Sequence, residues 1–151
     1  MNEIPQFIAF CDHDLPELEE MIFALYREDA YGEAMSRQKI QRTVHELLKC
    51  PEKGNITMFC LDEAVVGYAI VIYYWSNEYG GDIAFIDEFY VKPPWRGKGI
   101  GTSFFEYVAS VKAAYVKGLQ VEVTTINERA FAYYSRQGFE TTKNRHLFKK
   151  L

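Results

Sequence analysis

The sequence predicts a mixed α/β domain, with helices packed on a mainly antiparallel sheet in the order β-α-α-β-β-β-α-β-α-β. Three observations carry this expectation. Apolar residues recur at helical steps of three and four before residue 50, the pattern changes at Ile56 to three consecutive β-rich runs, and a glycine-rich turn then leads back into helical spacing. A chain of 151 residues with 48% hydrophobic content suits one well-buried core, so a single domain spanning 1–151 is expected.

The elements follow in chain order. "QFIAFC" (6–11) is short, apolar and rich in aromatic and β-branched types, which is strand chemistry, and "DHDLPELEEM" supplies helix-start residues. Leu15, Leu18, Ile22, Leu25 and Tyr26 then define one buried helical face. Ser36 is placed to cap a second helix reaching about Lys49, where "CPEKGN" breaks it. "ITMFCLD", "AVVGYAIVIYYW" and "DIAFIDEFYVK" read as an antiparallel meander. Beyond the glycine turn, Ile100, Phe104, Val108 and Val111 share a helical face that runs to about Val116. A strand "LQVEVTT", a helix "NERAFAYYSRQ" ended by Gly138, and an extended segment toward "HLFKK" complete the chain.

Composition excludes several functions. A net charge of −4 offers no broad basic surface for a nucleic-acid backbone. No basic leader precedes an apolar stretch and no run of about 18 apolar residues occurs, so a soluble, cytoplasmic protein without a membrane partner is expected. Cys11, Cys50 and Cys60 are odd in number and widely spaced, and with His13, His45 and His146 they form no metal or triad spacing; buried free thiols and no metal are expected.

The stretch "VKPPWRGKGIGTSFFEY" carries the chemistry. A glycine-rich turn entering a helix can aim several backbone N–H groups into one concavity, which the helix N-terminus makes electropositive. Gly97-Lys98 is followed by Gly99, not by a hydroxyl residue that holds magnesium, so the nucleotide P-loop does not fit. The dinucleotide fingerprint requires glycine where Thr102 stands. What does fit is R-x-x-G-x-G, through Arg96, Gly99 and Gly101.

At these residues the chain resembles the GCN5-related N-acetyltransferase (GNAT) family, whose pyrophosphate motif is Q/R-x-x-G-x-G/A between the fourth strand and third helix. A second element, "NERAFAYYSRQGF", is similar to the family's N-x-x-A-x-x-x-Y-x-x-x-G-F, with Asn127, Ala130, Tyr134, Gly138 and Phe139 in register. The element order read from periodicity is also the family's order.

The resemblance implies acetyl-coenzyme A as acetyl donor and an amine as acceptor. The backbone amides of Arg96, Gly97, Lys98, Gly99, Ile100, Gly101 and Thr102 would grip the pyrophosphate, and Phe89, Tyr90 and Val91 would pair with the pantetheine arm. Asn127 either meets the pantetheine or only caps its helix. Tyr134 matches the family's general acid at the departing sulfur, against the plainer reading of an aromatic at the core edge. Asp87 and Glu88 are both candidate bases; alternation sends them to opposite faces unless a bulge intervenes.

Acceptor recognition is read from charge. Glu28, Asp29 and Glu33 lie between the first two helices, where the family's acceptor site lies, and could form an acidic pocket for a polyamine, lysine or aminoglycoside amine; a solvated face is the alternative. Tyr73, Tyr74 and Trp75 either line the same mouth or serve as core or dimer contact. The family's frequent dimers add a homodimer to the expected partners. The reading is therefore an acetyl-coenzyme A-dependent N-acetyltransferase working by direct attack, with a noncatalytic acyl-coenzyme A-binding sensor or interaction module as the alternative.

Overall fold

A computed structural model describes residues 4–30, 32–111 and 114–151. Strand β1 (Gln6–Ala9) leads through a single 3-10 turn (Asp12–Asp14) into α1 (Leu15–Glu28) and α2 (Arg37–Lys49). Strands β2 (Gly54–Leu61), β3 (Ala64–Ser76) and β4 (Gly81–Val91) form the meander, followed by α3 (Ile100–Val111), β5 (Val116–Val121) and α4 (Glu128–Arg136). The sheet order is β1-β2-β3-β4-β5. Every pairing is antiparallel except the last, where β4 and β5 run parallel because α3 carries the chain back across the sheet.

Local chemistry explains the boundaries. Ser36 is extended and its side chain accepts the Lys39 N–H at 3.2 Å, capping α2 as the sequence indicates. Pro16 sits at the start of α1, where a missing N–H costs no helical hydrogen bond. The β2–β3 turn rests on Asp62, a non-glycine residue at positive φ (52°), which aspartate tolerates in tight hairpins.

Two apolar layers hold the sheet. On one face Leu18, Met21 and Ile22 of α1 and Ile40, Val44 and Leu47 of α2 pack on Ile56, Met58, Tyr68, Ile70 and Tyr90. On the other, Ile100, Phe104, Phe105 and Val108 of α3 cover Phe59, Val66, Ala69, Val71, Ala84, Ile86 and Val91.

The β3–β4 ladder contains the irregularity that positions the site. Ile70 pairs with Glu88 and Val71 with Ile86, so Asp87 is an extra, bulged residue. The bulge shifts the alternation by one. Ala84 and Ile86 before it face α3, and so do Phe89 and Val91 after it, which turns Tyr90 and Glu88 toward α1 and α2.

Two expectations are corrected. The third helix ends at Val111, and Val116 opens β5 where the helix was expected to end, because Val116 and Gly118 pair with Asp82 and Ile83 of β4; residues 112 and 113 lie outside the described residues. The final extended segment forms no strand: no described strand pairs with it, residues 142–151 are all exposed, and Leu147 and Phe148 keep 95% and 92% of their surface. Among the described residues no helix is long and apolar enough to cross a membrane.

Phe104 is fully buried and its ring meets those of Phe7, Phe59, Phe89 and Phe105. Phe104→Ala should therefore lower unfolding free energy by about 3–5 kcal/mol in chemical denaturation, the range for deleting a buried aromatic ring.

Candidate active site

The site begins where β4 loses a neighbour. Parallel pairing with β5 extends from Asp82 to Ile86 and stops at Val121, so beyond the bulged Asp87 the stretch Glu88–Val91 is paired with β3 on one side and faces an open groove on the other. Main-chain groups on that free side are available to an extended ligand.

The groove leads to the glycine turn. After a 3-10 turn at Pro93–Trp95, Gly97 and Gly99 adopt positive φ (76° and 79°), and a Cβ on either would meet no atom within 4 Å. They border open space, and glycine is needed there for the backbone conformation. The first bond of α3 runs from the Ser103 N–H to the Gly99 carbonyl (3.1 Å), so the N–H groups of Ile100, Gly101 and Thr102 precede the helical ladder. Together these form a concave row of donors at a helix N-terminus, which fits a pyrophosphate.

Of the N–H groups expected in this row that of Arg96 is already engaged, while Gly101 and Thr102 also make contacts with α4 and its end. The Arg96 N–H already donates to the Pro93 carbonyl at 3.2 Å. A Cβ on Gly101 would fall 1.8 Å from the Tyr133 hydroxyl, so this glycine makes room for a side chain of α4 and does not open onto the concavity. The Thr102 hydroxyl donates to Gln137 Oε1 at 2.9 Å, also tying α3 to the end of α4.

Neither loop cation is free. Arg96 donates from Nη2 to both carboxylate oxygens of Glu28 (2.7 and 2.9 Å) and from Nε to the Val91 carbonyl (2.7 Å), with its guanidinium 5.3 Å from the Tyr90 ring centre. It is a strut between α1 and the turn. Lys98 Nζ stands 4.5 Å over the Trp95 ring.

The acid and base candidates lie on different layers. Glu88 retains 8% of its surface, its Oε1 has no protein hydrogen-bond partner, and burial, reinforced by the Asp87 charge, pushes its carboxyl up to about 7. The Tyr26 hydroxyl, arriving from the last turns of α1, interacts with that carboxyl and limits the rise. Asp87 reaches solvent at the bulge, and its carboxyl is raised by partial desolvation and then by Glu122, the residue after β5. On the opposite layer Tyr134 packs against Phe105, Tyr133 and Phe139, and burial holds its hydroxyl protonated up to about 12.

The remaining predicted residues are dispersed. The Asn127 side chain accepts the Ala130 N–H at 3.1 Å, so its carbonyl oxygen serves as the α4 cap. Glu28 is neutralised by Arg96 and Glu33 by Lys150 at 2.8 Å, while the Asp29 N–H closes α1 on the Leu25 carbonyl. Tyr73 is half-buried beside α3 and accepts from Asn55 at 3.2 Å. Trp75 is 68% exposed and pairs with Asp82, roughly 16 Å along the strand from the bulge at 3.3 Å per residue. Of the three carboxylates expected to form an acidic pocket, Glu28 and Glu33 are thus engaged in ion pairs, the second of them well exposed.

Sequence reasoning missed Tyr26, Glu122 and Tyr133. Glu122 had a readable signal, since ligands collect at the carboxyl ends of parallel strands. Tyr26 and Tyr133 looked like ordinary helix-face aromatics. Of the thiols expected to be buried only Cys60 is; Cys11 is exposed and Cys50 half-buried. Cys11, His13 and Asp14 come together within 4.8 Å, but Asp14 spends Oδ2 on the Cys11 N–H (2.8 Å) and Oδ1 on His13 (3.2 Å), which accounts for the grouping as a helix-entry cap.

Known proteins place this geometry in context. The sequence pattern of the Acetyltransferase (GNAT) family matches residues 16–139. A thialysine N-epsilon-acetyltransferase of Bos taurus is 32% identical over 115 residues, which cover 74% of this chain and 61% of that protein, so the chain spans 61% of that relative's length. Among solved structures, a possible acetyltransferase from Clostridium difficile 630 superposes with a TM-score of 0.83 at 22% identity, covering 99% of both chains. An integron cassette protein from the mobile metagenome of Cole Harbour Salt Marsh gives 0.80 at 30% identity, covering 97% of this chain and 90% of that one. An aminoglycoside acetyltransferase from an uncultured soil sample, in complex with sisomicin, shares the fold at a TM-score of 0.73 and 12% identity over 97% of this chain and 96% of that one.

The buried Glu88 carboxylate makes a stability prediction. Its folded pKa lies above the ordinary 4.5, so the folded state favours the protonated form and loses stability as pH rises from about 4.5 through about 7. Glu88→Gln should be more stable than the parent at pH 8 by an order of about 3 kcal/mol, with the advantage vanishing near pH 4, in paired thermal melts.

Proposed function

Because the chain belongs to the acetyltransferase (GNAT) family, we propose that it transfers the acetyl group of acetyl-coenzyme A to a primary amine by direct attack. The observation that carries this reading is the parting of β4 from β5 at the Asp87 bulge, which leaves a groove running from the buried Glu88 to the glycine turn. In this reading the turn from Gly97 to Thr102 holds the pyrophosphate, and the free side of Phe89, Tyr90 and Val91 aligns the pantetheine arm. Bound there, acetyl-coenzyme A supplies an activated thioester carbonyl.

The chain's own groups then divide the work. An alkylammonium of pKa about 10 must lose a proton before it can attack. Glu88, with its carboxyl at about 7, is a carboxylate at mildly alkaline pH and takes that proton. Main-chain N–H groups on the free side of β4 polarise the carbonyl. Tyr134, protonated at every working pH, is the donor for the departing sulfur, whose thiol has a pKa of about 8.5. Asp87 and Glu122 form the exposed acidic rim through which a cationic amine approaches. The amine-acetyltransferase relatives support this choice of acceptor class; a small diamine or lysine-like molecule fits the acidic rim better than an anionic acceptor.

Free-thiol release from acetyl-coenzyme A across polyamines, amino acids, aminoglycosides and peptide N-termini tests the reading. Turnover with at least one cationic amine is expected, and Tyr134→Phe should reduce kcat by about 100-fold, the lower end for losing a general acid, while cofactor affinity changes little. Cofactor binding with no turnover across the panel would favour the noncatalytic binding module. For the turn itself, Gly99→Val should weaken coenzyme A binding by roughly tenfold or more in calorimetric titration, and Lys98→Ala by less, since backbone approach and not the lysine charge makes the cradle.

A further inference from the structure

Glu88 has a second neighbourhood, on the side away from the groove. A cavity of about 20 Å³ lies between α1, α2 and the sheet, lined by Leu18, Ile22, Ile40, Ile70, Thr43 and Glu88 among others. Its lining residues are apolar except for two, Glu88 and Thr43. Glu88 Oε1 is buried without a protein partner, and the fully buried Tyr68 hydroxyl, diagonal to it across the β3–β4 ladder, is likewise unpartnered. Thr43 donates to the Lys39 carbonyl at 3.1 Å, which leaves its oxygen able to accept, and it is half-exposed on α2.

A water needs about 10–15 Å³ of such space and two or more polar partners. The space and the partners are both present. A bridging water would satisfy the buried, bare Oε1.

We propose that the cavity is an internal water site, in which one water bridges Glu88 Oε1 and the Thr43 hydroxyl and gives Glu88 a proton exit to solvent on the α2 side. This rests on Glu88 being the base. The proton that leaves the amine nitrogen is first held on the Glu88 carboxyl. It passes to the internal water, which gives one of its own protons to solvent at the edge of α2, and the carboxylate is restored. Such an exit matters because the groove side is closed by the bound donor and acceptor when the proton must leave. The other titratable groups facing Glu88 are Tyr26 from α1, Tyr68 from β3 and Asp87 beside it on β4, and none of these lines the cavity.

The test compares Thr43→Val, Thr43→Ser and Glu88→Gln in thiol-release kinetics run in H2O and D2O, with a high-resolution crystal structure of the parent. Thr43→Val should lower kcat by about tenfold and raise the solvent isotope effect, without changing the KM for acetyl-coenzyme A, while Thr43→Ser, which keeps the hydroxyl, stays near the parent. Density for a water within hydrogen-bonding distance of both Glu88 Oε1 and Thr43 Oγ1 is expected. A dry cavity overturns the proposal, as does a Thr43→Val enzyme with parental kcat and isotope effect. Parental activity in Glu88→Gln instead removes Glu88 as the base. If Glu88→Gln is inactive while Thr43→Val is parental, only the water exit falls. If Thr43→Val fails to fold, the crystal structure of the parent decides, a dry cavity overturning the proposal.

Discussion

One extra residue in β4 sets which face of the sheet receives each side chain from Glu88 to Val91. Without the bulge at Asp87, alternation would turn Glu88 to the α3 face with Ala84 and Ile86, and Tyr90 would follow it. With the bulge, Glu88 is carried under α1 and α2, into apolar surroundings that hold its proton until near neutrality. The same irregularity marks the point where β5 stops pairing, because a strand that bends and twists locally cannot keep a straight parallel neighbour. The buried carboxyl and the groove therefore share a single cause.

The Arg96–Glu28 pair ties the two halves of the site together. It is partly buried, with Nη2 shared between both Glu28 oxygens, braced by the Val91 carbonyl and set against Tyr90, so it can fix where the end of α1 sits relative to the glycine turn. Its formation consumes a cation that would otherwise serve an anionic ligand and an anion that would otherwise serve a cationic one. The electrostatics of the site thus shift inward. The unpaired donors near the turn are the backbone N–H groups at the start of α3, and the exposed acidic character lies at Asp87 and Glu122.

Much of this was legible from the chain alone where the signal was local. Ser36 capping α2, the meander from Ile56, and the face of α3 built on Ile100, Phe104 and Val108 all depend on neighbours within a few residues, and each is found. The end of α3 and the start of β5 were misplaced because Val116 and Gly118 take their conformation from pairing with β4, an interaction that no local window contains. The last residues failed as a strand for the complementary reason. Extended composition makes a strand only when a partner edge is present.

Periodicity, caps and glycine conformations are properties of short stretches, so the chain alone specified the elements from β1 to α4 and the R-x-x-G-x-G turn, but not the fate of its last residues. It also placed two carboxylates side by side on β4 and left open which of them would turn inward. Only the tertiary structure decided that, by inserting the bulge, and only it paired Arg96 with Glu28 and Lys150 with Glu33 across 68 and 117 residues of chain. Burial and charge pairing are set by residues distant in sequence, and they alone distinguish a buried carboxyl that titrates near neutrality from the solvated aspartate beside it.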